Sequence, residues 1–170
     1  MFLHPSDKLG EIYYFTAIPY WNQQKVTRHC RFAAALQSVG VKMVEGRFQE
    51  VTKDCRSCNN EYTTHEEKRT DVNIAVTLIR HAIEDSYDKA LIFSADSDLI
   101  PAIECVNTLR SDKRIEVVIP IHANATQIKD AAFRASQVNE KHLRDAQFPN
   151  TIEWLHRGKT NIISKPIEWG

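Results

Sequence analysis

Short apolar runs alternate along this chain with stretches whose apolar positions recur every three or four residues. Residues 11–17, EIYYFTA, are β-branched and aromatic and predict a strand. Over 25–39 the apolar positions Val26, Phe32, Ala33, Leu36 and Val39 keep a roughly helical period, with Gly40 placed to cap its end. Residues 41–45 predict a second strand. Residues 48–64 are polar and aperiodic and read as a long loop, a feature usually functional or held by something in a compact domain. Thr70 can cap a helix whose apolar face is Val72, Ala75, Leu78, Ile79, Ala82 and Ile83. Residues 89–94 form a third strand, apolar on both faces, as in a covered parallel sheet. A helix follows over 97–109, then a fourth strand over 114–120, then a helical stretch over 127–143, in one piece or two. In the tail, 161–163 suggests a short strand.

Strands alternating with helices predict an α/β fold with a parallel, doubly wound sheet. The expected layout is one domain over 1–149 and a C-terminal tail over 150–170 that packs on or completes the sheet. Ligands of such sheets sit at the carboxyl ends of the strands. There, after the apolar run 90–93, stands SADSDL, with Asp96 and Asp98 two residues apart. Two neighbouring carboxylates repel unless a cation lies between them, and a hard divalent ion suits them. The same residues can equally cap the next helix. Asp71, in the first turn of its helix, also favours the positive helix end. In a right-handed unit that helix start lies at the same sheet edge, so the three acids can converge.

A net charge of zero means that nucleic-acid binding needs a local basic patch. Residues 12–44 lack any acid but carry Lys25, Arg28, Arg31 and Lys42, which serve equally as a solvated helix face. The start of the chain lacks the features of a secretory leader, and no apolar run reaches membrane-spanning length. Four scattered cysteines predict a reducing, cytoplasmic setting rather than a disulfide scaffold. No glycine-rich phosphate loop is present.

The segment EEKRTDVNIAVTLIRHAIEDSYDKALIFSADSDLIPAIECV resembles the core of the NYN domain, the bacterial LabA-like branch of the PIN-like nucleases. The carrying motif is Lys68, Asp71 and Val72, then Ser94, Asp96, Ser97, Asp98 and Leu99. YYFTA at 13–17, VEGRF at 44–48 and LRDAQFP at 143–149 extend the likeness across most of 9–149. The resemblance implies a three-layer, Rossmann-like sheet and a ribonuclease using Mg²⁺ or Mn²⁺. By motif, Asp71, Asp96 and Asp98 would hold the metal, Ser94 would orient the site and Lys68 would contact RNA, which the basic stretch of Lys25, Arg28 and Arg31 could also meet. The chain departs from the family by lacking the first strand and its aspartate, so relative to the family it is truncated at its N-terminus. That leaves a slot between 11–17 and 89–94 for a partner chain, a second copy or the tail around 161–166 to fill. It also opens an alternative, a non-catalytic remnant that binds RNA or a protein partner.

Cys55-Arg-Ser-Cys58 spaces two thiolates for one Zn²⁺, with His65 a candidate third ligand, although a structural site usually needs four. Tyr20 and Trp21, beside the basic stretch, are candidates for stacking on bases.

Overall fold

The computed structural model describes residues 2–156 and 158–166. Its contacts divide the chain into two compact units, one of Met1–Gly10 with Asp71–Gln147, the other of Glu11–Thr70 with Phe148–Gly170.

The unit that carries SADSDL is built on a three-stranded parallel sheet, β5 (Lys89–Phe93), β6 (Arg114–Ile119) and β7 (Arg134–Gln137), in that order. Successive strand residues point to opposite faces. Ile115, Val117 and Ile119 therefore share one face with their register partners Ala90 and Ile92. That face is packed by Leu78 and Ala82 of α2 (Thr70–Ile83), by Ala102, Ile103 and Val106 of α3 (Ile100–Leu109), and by Ile128 of α4 (Thr126–Ala131). Ile103, Ile115, Val117 and Ile119 are completely buried. Each such side chain contributes about 1.5–3 kcal/mol. At the other end of α2, Arg110 donates to the carbonyl of Ala82 at 2.7 Å and to Asp85 at 2.6 Å, with Asp112 at 3.0 Å. The buried Lys113 ammonium pairs with Asp85 and, at 3.1 Å, with Asp112. This network fixes the α2 end to the turn before β6.

The stretch 127–143 is helical in two pieces, and a strand separates them. After α4 the backbone becomes extended at Ala132. The Phe133 amide donates to Ile115 O at 2.8 Å and that of Val138 to Ile119 O at 2.9 Å, bracketing β7. Helix α5 (Glu140–Asp145) follows, with Asn139 and His142 exchanging side-chain and backbone hydrogen bonds in a capping box. The N-terminal segment lies on this unit: Asp7 pairs with Lys89 at the start of β5, and Phe2 packs edge-on against Phe93 at its end, 5.7 Å between ring centres.

In the other unit, β1 (Tyr13–Thr16) and β2 (Lys42–Glu45) pair in parallel through the crossover helix α1 (Gln23–Ser38). Asn22 caps α1 by accepting from the Lys25 amide at 3.0 Å, and Gly40, at φ +89°, ends it. Gly46 then admits close backbone approach: a Cβ there would meet the Thr70 hydroxyl at 2.6 Å and the Lys68 carbonyl at 2.8 Å.

Residues 48–64 are not a loop. They form most of an antiparallel ribbon, β3 (Arg47–Asp54) and β4 (Glu61–Lys68), paired in register from Arg47↔Lys68 to Asp54↔Glu61. Most of their side chains are exposed, so the sequence has no apolar face to alternate against a polar one. The tail also pairs with itself. Strands β8 (Thr151–His156) and β9 (Lys159–Ser164) form an antiparallel hairpin against α1 rather than joining β1 or β5. Among the described residues, β1 pairs with β2 alone and β5 with β6 alone. Residues 167–170 of the tail lie outside the described residues.

Candidate functional site

Strand β5 ends at Phe93 and delivers Ser94, Asp96 and Asp98 to the carboxyl edge of its sheet. Three short-range bonds shape this turn. The Asp96 amide donates to the Ser94 hydroxyl at 3.0 Å. The Asp98 amide donates to Asp96 Oδ1 at 2.9 Å. The Ile100 amide donates to Ser97 O, closing a 3-10 turn over Ser97–Leu99 that leads into α3. Leu99, 1% exposed, anchors the turn in the core while Asp96 and Asp98 remain exposed. Asp96 is therefore the capping residue, and one of its oxygens is committed to the backbone. Asp71 is exposed in the first turn of α2, in the same unit.

The acids do not assemble into a closed set. Among the described residues, no three His, Cys, Asp or Glu side chains are grouped to hold one metal ion. As placed, Asp71, Asp96 and Asp98 do not fit a divalent-ion centre with three protein carboxylates. At the same end of β5 stands a group that the sequence reading passed over: Phe2 lies between Phe93 and the His142 ring, 4.6 Å from the latter. Nothing in residues 1–7 marks Phe2 as a partner of residue 93. A cleft of about 600 Å³ opens at the opposite, amino-terminal end of these strands, beside Lys89, Arg114, Arg134 and the exposed Phe133. It lies away from the acids.

In the other unit, Lys25 and Arg31 are exposed and Arg28 is half-buried along α1. Lys68 is held by Glu66 at 2.8 Å, and Lys53 reaches the same carboxylate at 2.6 Å. The two lysines hold Glu66 down at about 2, Lys53 having the larger effect. Tyr20 and Trp21 do cluster, but their partner is His65, which stacks on Trp21 with ring centres 3.8 Å apart and planes 13° from parallel. Phe48 meets the edge of the same indole at 4.6 Å. His65 faces Glu50 in the ribbon register, five residues from Cys55, or about 17 Å along the strand. It does not reach the cysteines. Cys55 and Cys58 themselves meet at the ribbon tip, where the Ser57 amide, then the Cys58 amide and thiol, hold the Cys55 thiol below its ordinary value.

The unit is a parallel α/β core with an acid-bearing turn after its apolar edge strand, and the family match suggests a nuclease-like superfamily. The chain belongs to the NYN domain family, which matches residues 6–138. Among individual proteins, it is 30% identical over 141 residues to the 6-hydroxy-3-succinoylpyridine 3-monooxygenase HspA of Pseudomonas putida (strain DSM 28022 / S16). That match covers 79% of this chain and 43% of the relative, so the chain spans less than half the length of that protein. The fold is also similar to the crystal structure of a protein of unknown function from Vibrio parahaemolyticus RIMD 2210633, with a TM-score of 0.52 at 18% identity over 74% of this chain and 67% of that one. No helix of the described residues is long and apolar enough to cross a membrane.

Proposed function

We propose that this NYN-domain chain hydrolyses RNA phosphodiester bonds at the carboxyl edge of β5. The observation that carries the reading is the placement of Asp96 and Asp98 on one exposed turn at the strand end where ligands of parallel sheets bind. In this reading an Asp98 carboxylate takes a proton from the attacking water as a general base. Ser94 and Asp96 fix the turn that aims it, through their bonds to successive amides. Asp71, exposed in the first turn of α2, is the third acid of the same unit. Mg²⁺ or Mn²⁺ is the cation that the resemblance implies. The carboxylates as placed do not form its site.

The test is cleavage of a labelled single-stranded RNA by the purified chain in Mn²⁺, in Mg²⁺ and in chelator. Cleavage that falls by about a hundredfold in Asp98→Asn supports the assignment. Cleavage unaffected by that change overturns it. RNA retained without cleavage under every condition turns the reading to a binding domain that has lost catalysis.

A second reading rests on the likeness to the Pseudomonas enzyme, named as a monooxygenase of a hydroxylated pyridine. Such chemistry places one oxygen atom on the substrate, reduces the other to water and draws two electrons from a donor. Oxygen uptake by this chain with reduced nicotinamide and a hydroxypyridine would favour it over phosphodiester hydrolysis.

A further inference from the structure

The helix-covered face of the β5–β6–β7 sheet carries Ile92, Ile115, Val117 and Ile119. The opposite face carries their neighbours. Lys89, Arg114, Glu116 and Arg134 stand on it side by side: Lys89 is the register partner of Arg114, Glu116 that of Arg134, and Arg114 and Glu116 are two residues apart on β6. Toward the carboxyl end the same face closes over Val118, which is completely buried. Apolar layers ordinarily cover both faces of a parallel sheet. Here the amino-terminal half of one face is charged, and it opens into the cleft of about 600 Å³, a volume within the range of small-molecule sites.

Several charges of this cleft are already answered. Lys89 pairs with Asp7, which also accepts from the His4 amide at 2.7 Å. The His4 ring is bonded to the Ser6 hydroxyl at 2.7 Å. At the rim, Asp112 is held by Arg110 and Lys113, and Asp88 stands exposed 4.0 Å from the Lys113 ammonium. Three charges are left over. Among the described residues, Arg114, Glu116 and Arg134 enter no ion pair and no side-chain hydrogen bond. Arg114 instead lies over the ring of Phe133, 5.1 Å from its centre, and Phe133 is 63% exposed. Glu116 is partly buried on the middle strand, a costly place for a carboxylate without a partner.

These groups make complementary demands on a ligand. Guanidiniums offer planar sets of donors that match phosphate oxygens. An exposed phenyl ring is a stacking surface for a flat base. An ionised carboxylate accepts and does not donate, so its two oxygens select an edge with two adjacent donors. Among the bases guanine has that edge, in N1–H beside the N2 amino group. Adenine and cytosine set an acceptor nitrogen beside their amino group, and uracil flanks its one N–H with carbonyls.

We propose that this cleft binds a guanine nucleotide, with Glu116 accepting from the donor edge of the base, Phe133 stacking on its ring, and Arg114 and Arg134 receiving the 5′-phosphate. Binding is non-covalent, and no bond forms or breaks. The site uses none of the acids at the carboxyl end of β5, so its failure leaves the nuclease reading untouched.

The experiment titrates the purified full chain by calorimetry with guanosine 5′-monophosphate, and in parallel with adenosine 5′-monophosphate, guanosine and inorganic phosphate. The expected result is one guanosine monophosphate per chain, bound about tenfold or more tighter than each of the other three. Glu116→Gln should remove the preference for guanine over adenine. Arg134→Gln should lower the affinity for guanosine monophosphate toward that for guanosine. Both variants should keep the far-ultraviolet circular dichroism of the unchanged chain. No binding of guanosine monophosphate, equal affinity for inorganic phosphate alone, or an affinity that neither substitution changes would each overturn the proposal. Binding that Asp98→Asn abolishes would place the nucleotide at the β5 turn and overturn it as well.

Discussion

Asp96 serves two possible ends, and its geometry separates them. Its side chain caps the 3-10 turn through the Asp98 amide, and asparagine can accept that bond as well as aspartate. Asp96→Asn should therefore change stability by no more than a few tenths of a kcal/mol, whereas Asp96→Ala should cost about 1 kcal/mol. Urea unfolding of the three chains checks this, and an equal loss in both variants would mean that the charge, not the cap, holds the turn. The asparagine variant thus isolates what the charge does for RNA cleavage. His65 teaches a similar lesson. Its spacing from the CxxC made it a candidate ligand, but it sits opposite Glu50, five positions down the ribbon from Cys55, and an exposed indole at Trp21 offers the ring a flat partner.

At the scale of elements, the apolar patterns that read correctly are those with one face against a core. Helix α2 and strands β5 and β6 are where their periods place them, because Leu78, Ala82, Ile92, Ile115, Val117 and Ile119 meet in one cluster, although Val72 and Ile83, read as part of the α2 face, are exposed. Strands β3, β4, β7 and β8 escaped. The β3–β4 ribbon faces water on both sides, so its charged residues carry no alternation. β7 is only RASQ, four residues recruited by backbone bonds to β6 rather than by apolar side chains of its own. The candidate site was legible to the same extent. The position of Asp96 and Asp98 follows from β5, but the gathering of Asp71 with them depends on side-chain placement that spacing does not encode, and no grouped set forms among the described residues. The core itself gives a sharp test. Ile103 is completely buried between the helices and the sheet, so Ile103→Ala removes its transfer energy and leaves a cavity. The expected loss is about 2–5 kcal/mol by denaturant titration. A loss under about 1 kcal/mol would show that α3 repacks freely and that the cluster is not a close-packed core.

Over the whole molecule, the balance of 22 basic and 22 acidic residues leaves no net field, so acid stability is set by local pairs. Among the described residues each unit has at least one such centre. In one, Asp85 is held below the usual carboxylate range first by Lys113 and then by Arg110, and Asp112 first by Arg110 and then by Lys113. In the other, Lys53 and Lys68 hold Glu66 at about 2. A carboxylate whose folded value is depressed adds stability above its unfolded value, about 4, and loses it as pH falls through that value toward the folded one. Between pH 5 and 7 these groups therefore contribute fully and leave the thermal midpoint flat. From about pH 4 down to about 2 the midpoint should fall in both units. Because Asp85 and Asp112 are more than half exposed, the effect should be modest and should shrink in high salt. Thermal melts followed by circular dichroism across this range check the sign. Arg110→Ala should flatten the acid limb, since Asp85 and Asp112 then lose a partner common to both. An unchanged acid limb in that variant would shift the origin of acid unfolding to groups outside this network.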